Sequence, residues 1–339
     1  MRVLLPTLEY APERGGIARY LAAIVRTFPN DIQVEHWSTW PGYVVALRTL
    51  WTKRGTYDQL LVSHVLPIGT VAWLLWPLTR KSYVVILHGM DFDLARRNVW
   101  KRWLLRRILG CSAIIVNSKA LASEVTAFIG SSKTPVHVIS PCVSDELVEA
   151  SVLVGRQPVA DRPLTLLTVS RLVERKGHLK VIRALVNFPD VRYRIVGDGA
   201  MRNQILNLAK SLGVQDRVEI LQSLPDGKLP EVYRQSDVFV MPTMRTQTDR
   251  EGFGTVYLEA QLFGVPVVAT KQPGVDEAVL DGTTGLLTDE SQESFEAALG
   301  RLLKDADLRA RFGATGRERV LREFTREHQM GKFAAVWKS

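Results

Sequence analysis

The segment DREGFGTVYLEA, residues 249–260, sets two carboxylates, Glu251 and Glu259, eight residues apart around the turn Gly252-Phe253-Gly254. The run VFVMPT (238–243) before it reads as a strand, and a helix is expected from about Thr255. The amides of a glycine turn at a helix start, with the helix dipole behind them, stabilise negative charge, so a phosphate suits this position. Carboxylates repel a phosphate but accept hydrogen bonds from hydroxyls beside it. A ribose diol on one side of a diphosphate and a sugar on the other would use both glutamates, which is the pattern of a nucleotide-diphosphate sugar. The alternative is structural: one Glu caps the helix and the other lies exposed on it.

Other stretches bear on the same chemistry. TVSRLVERKGHLKVIRAL (168–185) runs a strand into a loop with Arg171, Arg175 and Lys176, then into a helix after Gly177. Cations at the carboxyl end of a strand suit an anionic group, or they are exposed basic residues on a connecting loop. IVGDGAMRN (195–203) keeps Gly197 and Gly199 of a dinucleotide-type turn, but Arg202 stands at the third glycine. That leaves a phosphate turn or simply a tight strand-to-helix turn. His88 ends a strand before Gly89, and is either a site residue or a satisfied core histidine. Asp91-Phe92-Asp93 has metal-binding spacing, yet the phosphate charge is already answered by Arg171, Lys176 and amides, so no metal role is expected.

These residues need elements to position them. Short apolar runs such as MRVLLPT, YDQLLVSH, SYVVILHG and SAIIVNS alternate with helix-like stretches, and the pattern resumes in LTLLTVSRL, VRYRIVGDG, RVEILQSL, VFVMPT, VPVVAT and TGLLTD. Runs apolar on both faces are typical of central parallel strands. The alternation predicts an α/β protein with two Rossmann-like, doubly wound domains facing each other across a deep cleft. The expected division is 1–155 and 156–325, with the seam at 154–164 and a last helix over about 326–339 packing back onto the first domain. With 339 residues the chain has room for two such cores.

Composition narrows the partners. Apolar content of 46% and charged content of 23% are those of a globular protein. Cys111 and Cys142 have no metal spacing and are expected as free thiols of a reducing cytosol. The opening residues read as a strand rather than an export signal. The uncharged stretch 59–79 is long enough to span a bilayer, but Pro67, Gly69 and Pro77 interrupt it, and a strand (59–64) with a short helix (68–76) explains it better. Of the net charge of +9, residues 1–155 hold 17 Lys/Arg against 11 Asp/Glu, and seven of eight Trp precede residue 104. ARRNVWKRWLLRRILG (95–110) concentrates six basic residues around Trp100 and Trp103. It reads as a solvated helix with a half-buried stripe of Trp100, Trp103, Leu104 and Ile108, or as contact with an anionic membrane surface. Nucleic acid is not expected as a partner.

Taken in order, RGGIARY (14–20), ILHGMDF (86–92), IIVNSKA (114–120), SRLVERKG (170–177), VGDG (196–199) and the EGFG…LEA block resemble the retaining nucleotide-sugar glycosyltransferases of the GT-B fold, whose members include phosphatidylinositol mannosyltransferases and sucrose synthases. The resemblance implies that Gly15 and Gly16 approach the donor phosphate and sugar and that His88 lies beside the transferred sugar. It implies that Arg171 and Lys176 bind the diphosphate, that Glu251 holds sugar hydroxyls, and that Glu259 takes the ribose diol. Gly199, Gly252, Phe253, Gly254 and Thr255 would complete the donor site, and 223–229 part of the base pocket. Arg245 and Arg250, on a loop longer than the family's shortest, have no assigned role. The implied activity is hexosyl transfer from a UDP- or GDP-sugar to a hydroxyl of a glycan or lipid-linked acceptor, with no cofactor and no metal, in the cytoplasm or peripherally on the inner face of the membrane. A sugar-nucleotide epimerase or glycan phosphorylase on the same architecture is the alternative. A glycosidase, suggested by paired carboxylates alone, has no use for a phosphate-type glycine turn.

Overall fold

The computed structural model describes residues 1–10, 15–153, 162–222, 224–246 and 251–337. Most of the expected seam, Arg14, Ser223, Arg250 and the last two residues therefore lie outside the described residues. The first elements are β1 (Val3–Thr7), α1 (Gly16–Thr27), β2 (Ile32–His36), α2 (Tyr43–Thr52), β3 (Gln59–Val62), α3 (Ile68–Thr79), β4 (Ser82–Leu87), α4 (Met90–Arg96), α5 (Val99–Ile108), β5 (Ala113–Val116), α6 (Lys119–Ile129) and β6 (Val136–Val138). They are followed by α7 (Asp145–Leu153), β7 (Leu164–Val169), α8 (His178–Ala184), β8 (Val191–Val196), α9 (Arg202–Ser211), β9 (Val218–Leu221), α10 (Leu229–Arg234) and β10 (Val238–Met241). The chain ends in α11 (Thr255–Leu262), β11 (Val267–Thr270), α12 (Val275–Ala278), β12 (Gly285–Thr288), α13 (Gln292–Lys304), α14 (Ala306–Glu323), α15 (Arg326–Gly331) and α16 (Phe333–Trp337).

Two six-stranded sheets result, ordered β2-β1-β3-β4-β5-β6 and β12-β11-β10-β7-β8-β9. Every pairing is parallel. Central strands such as Gln59–Val62, Ala113–Val116 and Val238–Met241 are buried at every position, as two covered faces require. The edge strands β2 and β6, which the sequence pattern did not announce, are short and largely half-exposed, so they lack a continuous apolar run.

One compact unit is Met1–Cys142 with Arg326–Ser339, and the other is Val143–Thr325. In the first, helices α2 to α6 cover one face of the sheet. On the other face, α1 packs Tyr20, Leu21 and Ile24 with Met330, Phe333 and Val336 of α15 and α16. The expected last helix is thus two short ones. Gln329 Oε1 accepts from the Ser140 amide at 3.0 Å, and Arg326 donates to Thr27 Oγ1 at 3.1 Å. The division falls at Cys142–Val143, earlier than the expected residue 155. Val143 and Leu147 join the core around α10, α11 and α14, and the Val143 amide donates to the Phe324 carbonyl at 3.0 Å. An amphipathic helix does not announce which sheet it will cover.

The stretch 59–79 forms β3 and α3, and no helix among the described residues is long and apolar enough to cross a membrane. The helix expected over Arg96–Leu109 forms as α5 and starts three residues later, at Val99, because Asn98 Oδ1 accepts from the amides of Trp100 and Lys101. Phe333 is fully buried although it lies near the chain end. Phe333→Ala is expected to destabilise the first unit by about 3–5 kcal/mol, the range for deleting a buried aromatic ring, read as a lowered unfolding midpoint in denaturant.

Candidate active site

In an open parallel sheet, loops diverge where the strand order reverses, and the gap outside the carboxyl ends of those strands is where ligands bind. In the second unit that point lies between β7 and β10, since β7 also pairs with β8. The loop after β7 carries Arg171 and a 3-10 turn, Glu174–Lys176. The stretch after β10 leads to Glu251. The two come together: Glu251 Oε2 accepts from Arg175 Nη1 and from Lys176 Nζ, both at 2.6 Å. All three side chains are nearly buried, at 8% exposure for Arg175, 11% for Lys176 and 12% for Glu251. Arg171 is exposed and close enough to influence Lys176.

Burial by itself would raise the Glu251 carboxyl, but Lys176 and Arg175, by charge and by hydrogen bond, hold it below its ordinary value. Burial pulls Lys176 below the usual lysine range, with Glu251 opposing. Glu251 thus ties two buried cations to one carboxylate oxygen, and Arg171 adds a positive charge nearby. Cations gathered on one loop suit an anion. Backbone packing fixes the cluster. Gly177 has φ 73°, and a Cβ there would run into the Pro242 carbonyl, so only glycine lets the two loops meet. The Met244 amide donates to the Arg175 carbonyl at 2.8 Å. Below it, His178 Nδ1 lies 3.0 Å from the Tyr193 hydroxyl, which donates to Thr168 Oγ1 at 2.9 Å, and burial pushes His178 down to about 4.

Gly254, at φ 82°, caps α11, and Gly252, Gly254 and Thr255 are half-buried around its start. The Phe253 ring is turned into the core, 5.9 Å from Phe324. Glu259, one turn into α11, is 2% exposed and accepts from the Tyr233 hydroxyl at 2.8 Å. The Gly199 amide is taken by Asp198 Oδ1 at 2.8 Å, and Asp198 also accepts from Gln222. The β8–α9 turn sits directly against the loop after β7, with the Leu172 amide donating to the Asp198 carbonyl at 2.8 Å.

The remaining predicted residues belong to the first unit. Gly15 caps α1 and Gly16 opens it. His88 follows β4, its ring edge-on to Tyr20 at 5.7 Å, and its Nε2 is buried without a hydrogen-bond partner among the described residues. Burial, aided by His64, pushes His88 down to about 3. Asp91 Oδ1 accepts from the amides of His88, Gly89 and Phe92, so this carboxylate shapes the turn into α4, and Asp93 pairs with Arg96 at 2.7 Å. Three residues that the sequence reading left outside the site stand in these positions: Arg175 beside Glu251, and Glu9 and His64 near His88. Arg175 was visible as a third cation on its loop; nothing local marked Glu9 or His64.

The folded-state pKa of Glu251 lies below its unfolded value of 4.5. Its stabilisation is therefore complete above that pH and lost as pH falls below it. Glu251→Gln is expected to destabilise the protein by about 3–5 kcal/mol at neutral pH, the cost of stranding buried cations. The gap between variant and parent should close as pH drops below about 4.5. Charging of His178 between its ordinary 6.5 and about 4 lowers the stability of both proteins alike. Thermal unfolding of the pair from pH 7 to 3.5 checks this, and a pH-independent gap would refute it.

Residues 5–147 match the family described as Glycosyltransferase Family 4, and residues 155–319 match Glycosyl transferases group 1. A GDP-mannose-dependent alpha-(1-6)-phosphatidylinositol monomannoside mannosyltransferase of Mycolicibacterium smegmatis is 33% identical over 94% of both chains. A D-inositol 3-phosphate glycosyltransferase of Corynebacterium urealyticum is 30% identical over 75% of this chain and 65% of its own. Among solved structures, Anabaena HepE in complex with UDP and glucose superposes with TM-score 0.81 at 21% identity, covering 100% of both chains. The sucrose-phosphate synthase of Thermosynechococcus elongatus gives 0.79 at 20% identity, covering 100% of this chain and 98% of its own. With two parallel Rossmann-like units and a cation–carboxylate cluster at the switch point of the second, the chain belongs to the group 1 glycosyl transferases and is a nucleotide-sugar glycosyltransferase of the GT-B fold.

Proposed function

We propose that this enzyme transfers a hexosyl group, with retention of configuration and without a metal ion, from a GDP- or UDP-sugar to a lipid-linked hydroxyl acceptor at the inner face of an anionic membrane. The observation that carries the reading is the buried Arg175–Glu251–Lys176 cluster at the switch point of the second sheet, with Arg171 close by. A donor diphosphate entering beside Gly254 and Thr255 would take over Arg175 and Lys176 and release Glu251 toward the sugar hydroxyls. Glu259, oriented by Tyr233, would serve the ribose diol. In the reaction the bond from the anomeric carbon to the β-phosphate oxygen breaks as the acceptor oxygen bonds on the same face. The acceptor proton passes to the departing phosphate. Charge grows on that phosphate, so the cations and the α11 amides act where the transition state needs them.

The GDP-mannose-dependent phosphatidylinositol monomannoside mannosyltransferase among the relatives supports GDP-mannose as the donor to test first and an inositol-containing lipid as the acceptor class. UDP stands as the comparison because it occupies a neighbour of the same fold. Support for membrane contact comes from the first unit, where neighbouring helices on one face of the sheet expose Val44 and Trp51 on α2, Trp76 and Leu78 on α3, and Val99 and Trp100 on α5. Trp100 is 80% and Trp76 52% exposed. Arg54, Arg80, Arg97, Lys101, Arg102 and Arg106 are exposed on the same elements or at their ends. Tryptophan among arginines suits the boundary of an anionic bilayer.

Calorimetric titration without metal should show binding of GDP or UDP, weakened in Glu259→Ala. Lys176→Ala, Arg175→Ala and Arg171→Ala should each lower turnover by about 10²-fold or more, as loss of one charge-stabilising donor does. Near-normal turnover in all three, or turnover abolished by chelator and restored by Mg²⁺, would reject the mechanism. Co-sedimentation with anionic vesicles at low salt should fall when Trp76 and Trp100 are both replaced by Ser, and no binding by the parent would reject the membrane assignment.

A further inference from the structure

The loop with Arg171, Arg175 and Lys176 leaves β7 at Ser170 and enters α8 at His178. The His178 ring lies at the neck of this loop and is 1% exposed. We propose that His178 is a positioning residue for donor binding: its neutral ring ties the two ends of the loop together at Ser170 and fixes them, through Tyr193 and Thr168, to the backbone of β10. That the cations so held meet a donor diphosphate rests on the function proposed above; the tie itself does not.

The direction of each hydrogen bond in this row is set by its last member. The Val240 carbonyl only accepts, so the Thr168 hydroxyl donates to it and can only accept from Tyr193. The Tyr193 proton is thereby committed to Thr168, at 2.9 Å. Tyr193 Oη accepts from His178 Nδ1 at 3.0 Å, which places the ring hydrogen on Nδ1. A neutral ring of that tautomer has a lone pair at Nε2, and Ser170 Oγ, 3.2 Å away, donates to it. Ser170 Oγ also stands 3.1 Å from the Arg171 carbonyl. It has one proton, and giving that proton to the carbonyl would leave two acceptors face to face at Nε2. The Arg171 carbonyl, 3.5 Å from Nε2, can accept from the ring only when Nε2 carries a hydrogen. Burial lowers the His178 pKa to about 4, with the Arg171 carbonyl opposing and the Lys176 charge assisting, so the ring is neutral where the enzyme is folded and active.

The row joins the parts that must stay in register for the cations to act together. Thr168 belongs to β7, Tyr193 to β8 and Val240 to β10, and Thr168 and Tyr193 are fully buried. The Ser170 amide donates to the Val196 carbonyl at 3.0 Å, which anchors one end of the loop. Inside the loop, the Lys176 amide donates to the Val173 carbonyl and the Gly177 amide to the Glu174 carbonyl, both at 3.0 Å. A turn tied in this way moves as a body about its ends, so a slip at the neck displaces Arg171 and Lys176 together. A misplacement of about 1 Å can cost about 10²-fold in a site of this kind.

Histidine ¹⁵N spectra of the full-length protein should show the neutral Nδ1–H tautomer of His178 at neutral pH, its signal assigned by its absence in His178→Gln or its shift in Ser170→Ala. In Ser170→Ala the tautomer should persist while Nε2 takes the shift of an unbonded acceptor. In Tyr193→Phe the ring should change to the Nε2–H form, with the Arg171 carbonyl as its acceptor. Calorimetry then compares GDP with GMP and UDP with UMP. For the diphosphate that the parent binds, the Kd should rise about tenfold in Ser170→Ala, the order lost with a contact to a charged group. The matching monophosphate, which lacks the β-phosphate, should bind as it does to the parent, whereas a general loosening of the unit would weaken both. A protonated or Nε2–H ring in the parent, equal losses for the two nucleotides, or an unchanged diphosphate affinity would overturn the positioning role and leave the donor reading standing. Failure of the parent to bind either diphosphate would overturn the donor reading, and the role with it.

Discussion

Arg175 and Lys176 share one carboxylate oxygen of Glu251, and the second unit is arranged around making that contact tolerable. Two cations taken out of water without a partner would cost more than a small domain's net stability allows. Glu251 removes part of that cost and so draws the stretch after β10 onto the turn after β7. Gly177 permits the close approach, and the Met244–Arg175 backbone bond locks it. The cations that secure the loops also make the place suited to an anion.

Both sheets use the same topological device with opposite chemistry. At the switch point of the second unit the side chains are cationic and the neighbouring backbone begins a helix. At that of the first they are a carboxylate and an imidazole, Glu9 and His64, and burial keeps the His88 ring after β4 neutral. The former suits an anion, and the latter, with its carboxylate, does not. The difference follows from which residues happen to follow β1, β3, β7 and β10, not from any difference in the sheets themselves.

The outer helices of the first unit add a second constraint. Large apolar side chains at the ends of α2, α3 and α5 are poor company for water, and contiguous patches of this kind mark interaction surfaces. Their inward faces are ordinary core: Leu50, Leu75, Leu105 and Ile108 are buried against the sheet. The exposed tryptophans are therefore surplus to folding. Trp103 is an intermediate case, packed edge-on to Trp73 at 6.2 Å while Arg107 lies over its ring.

The alternation of apolar runs and helical stretches was enough to predict two parallel α/β units, because a strand covered on both faces must be apolar throughout and that shows in any single segment. The glycine turn before α11 and the loop cations were legible for the same reason: they are local. The edge strands β2 and β6 and the place of α7 were not, since half-exposed strands lack the pattern and a helix's stripe does not name its partner. The site divided likewise. Lys176 and Glu251 could be chosen from their segments, but the choice of Arg175 over Arg171 as the buried partner of Glu251 depends on how the 3-10 turn packs beneath the Pro242 backbone. Glu9 and His64, 55 residues apart in the chain, become neighbours only because β1 and β3 are adjacent in the sheet. Strand order is set by long-range packing, and that is the information that only the tertiary structure holds.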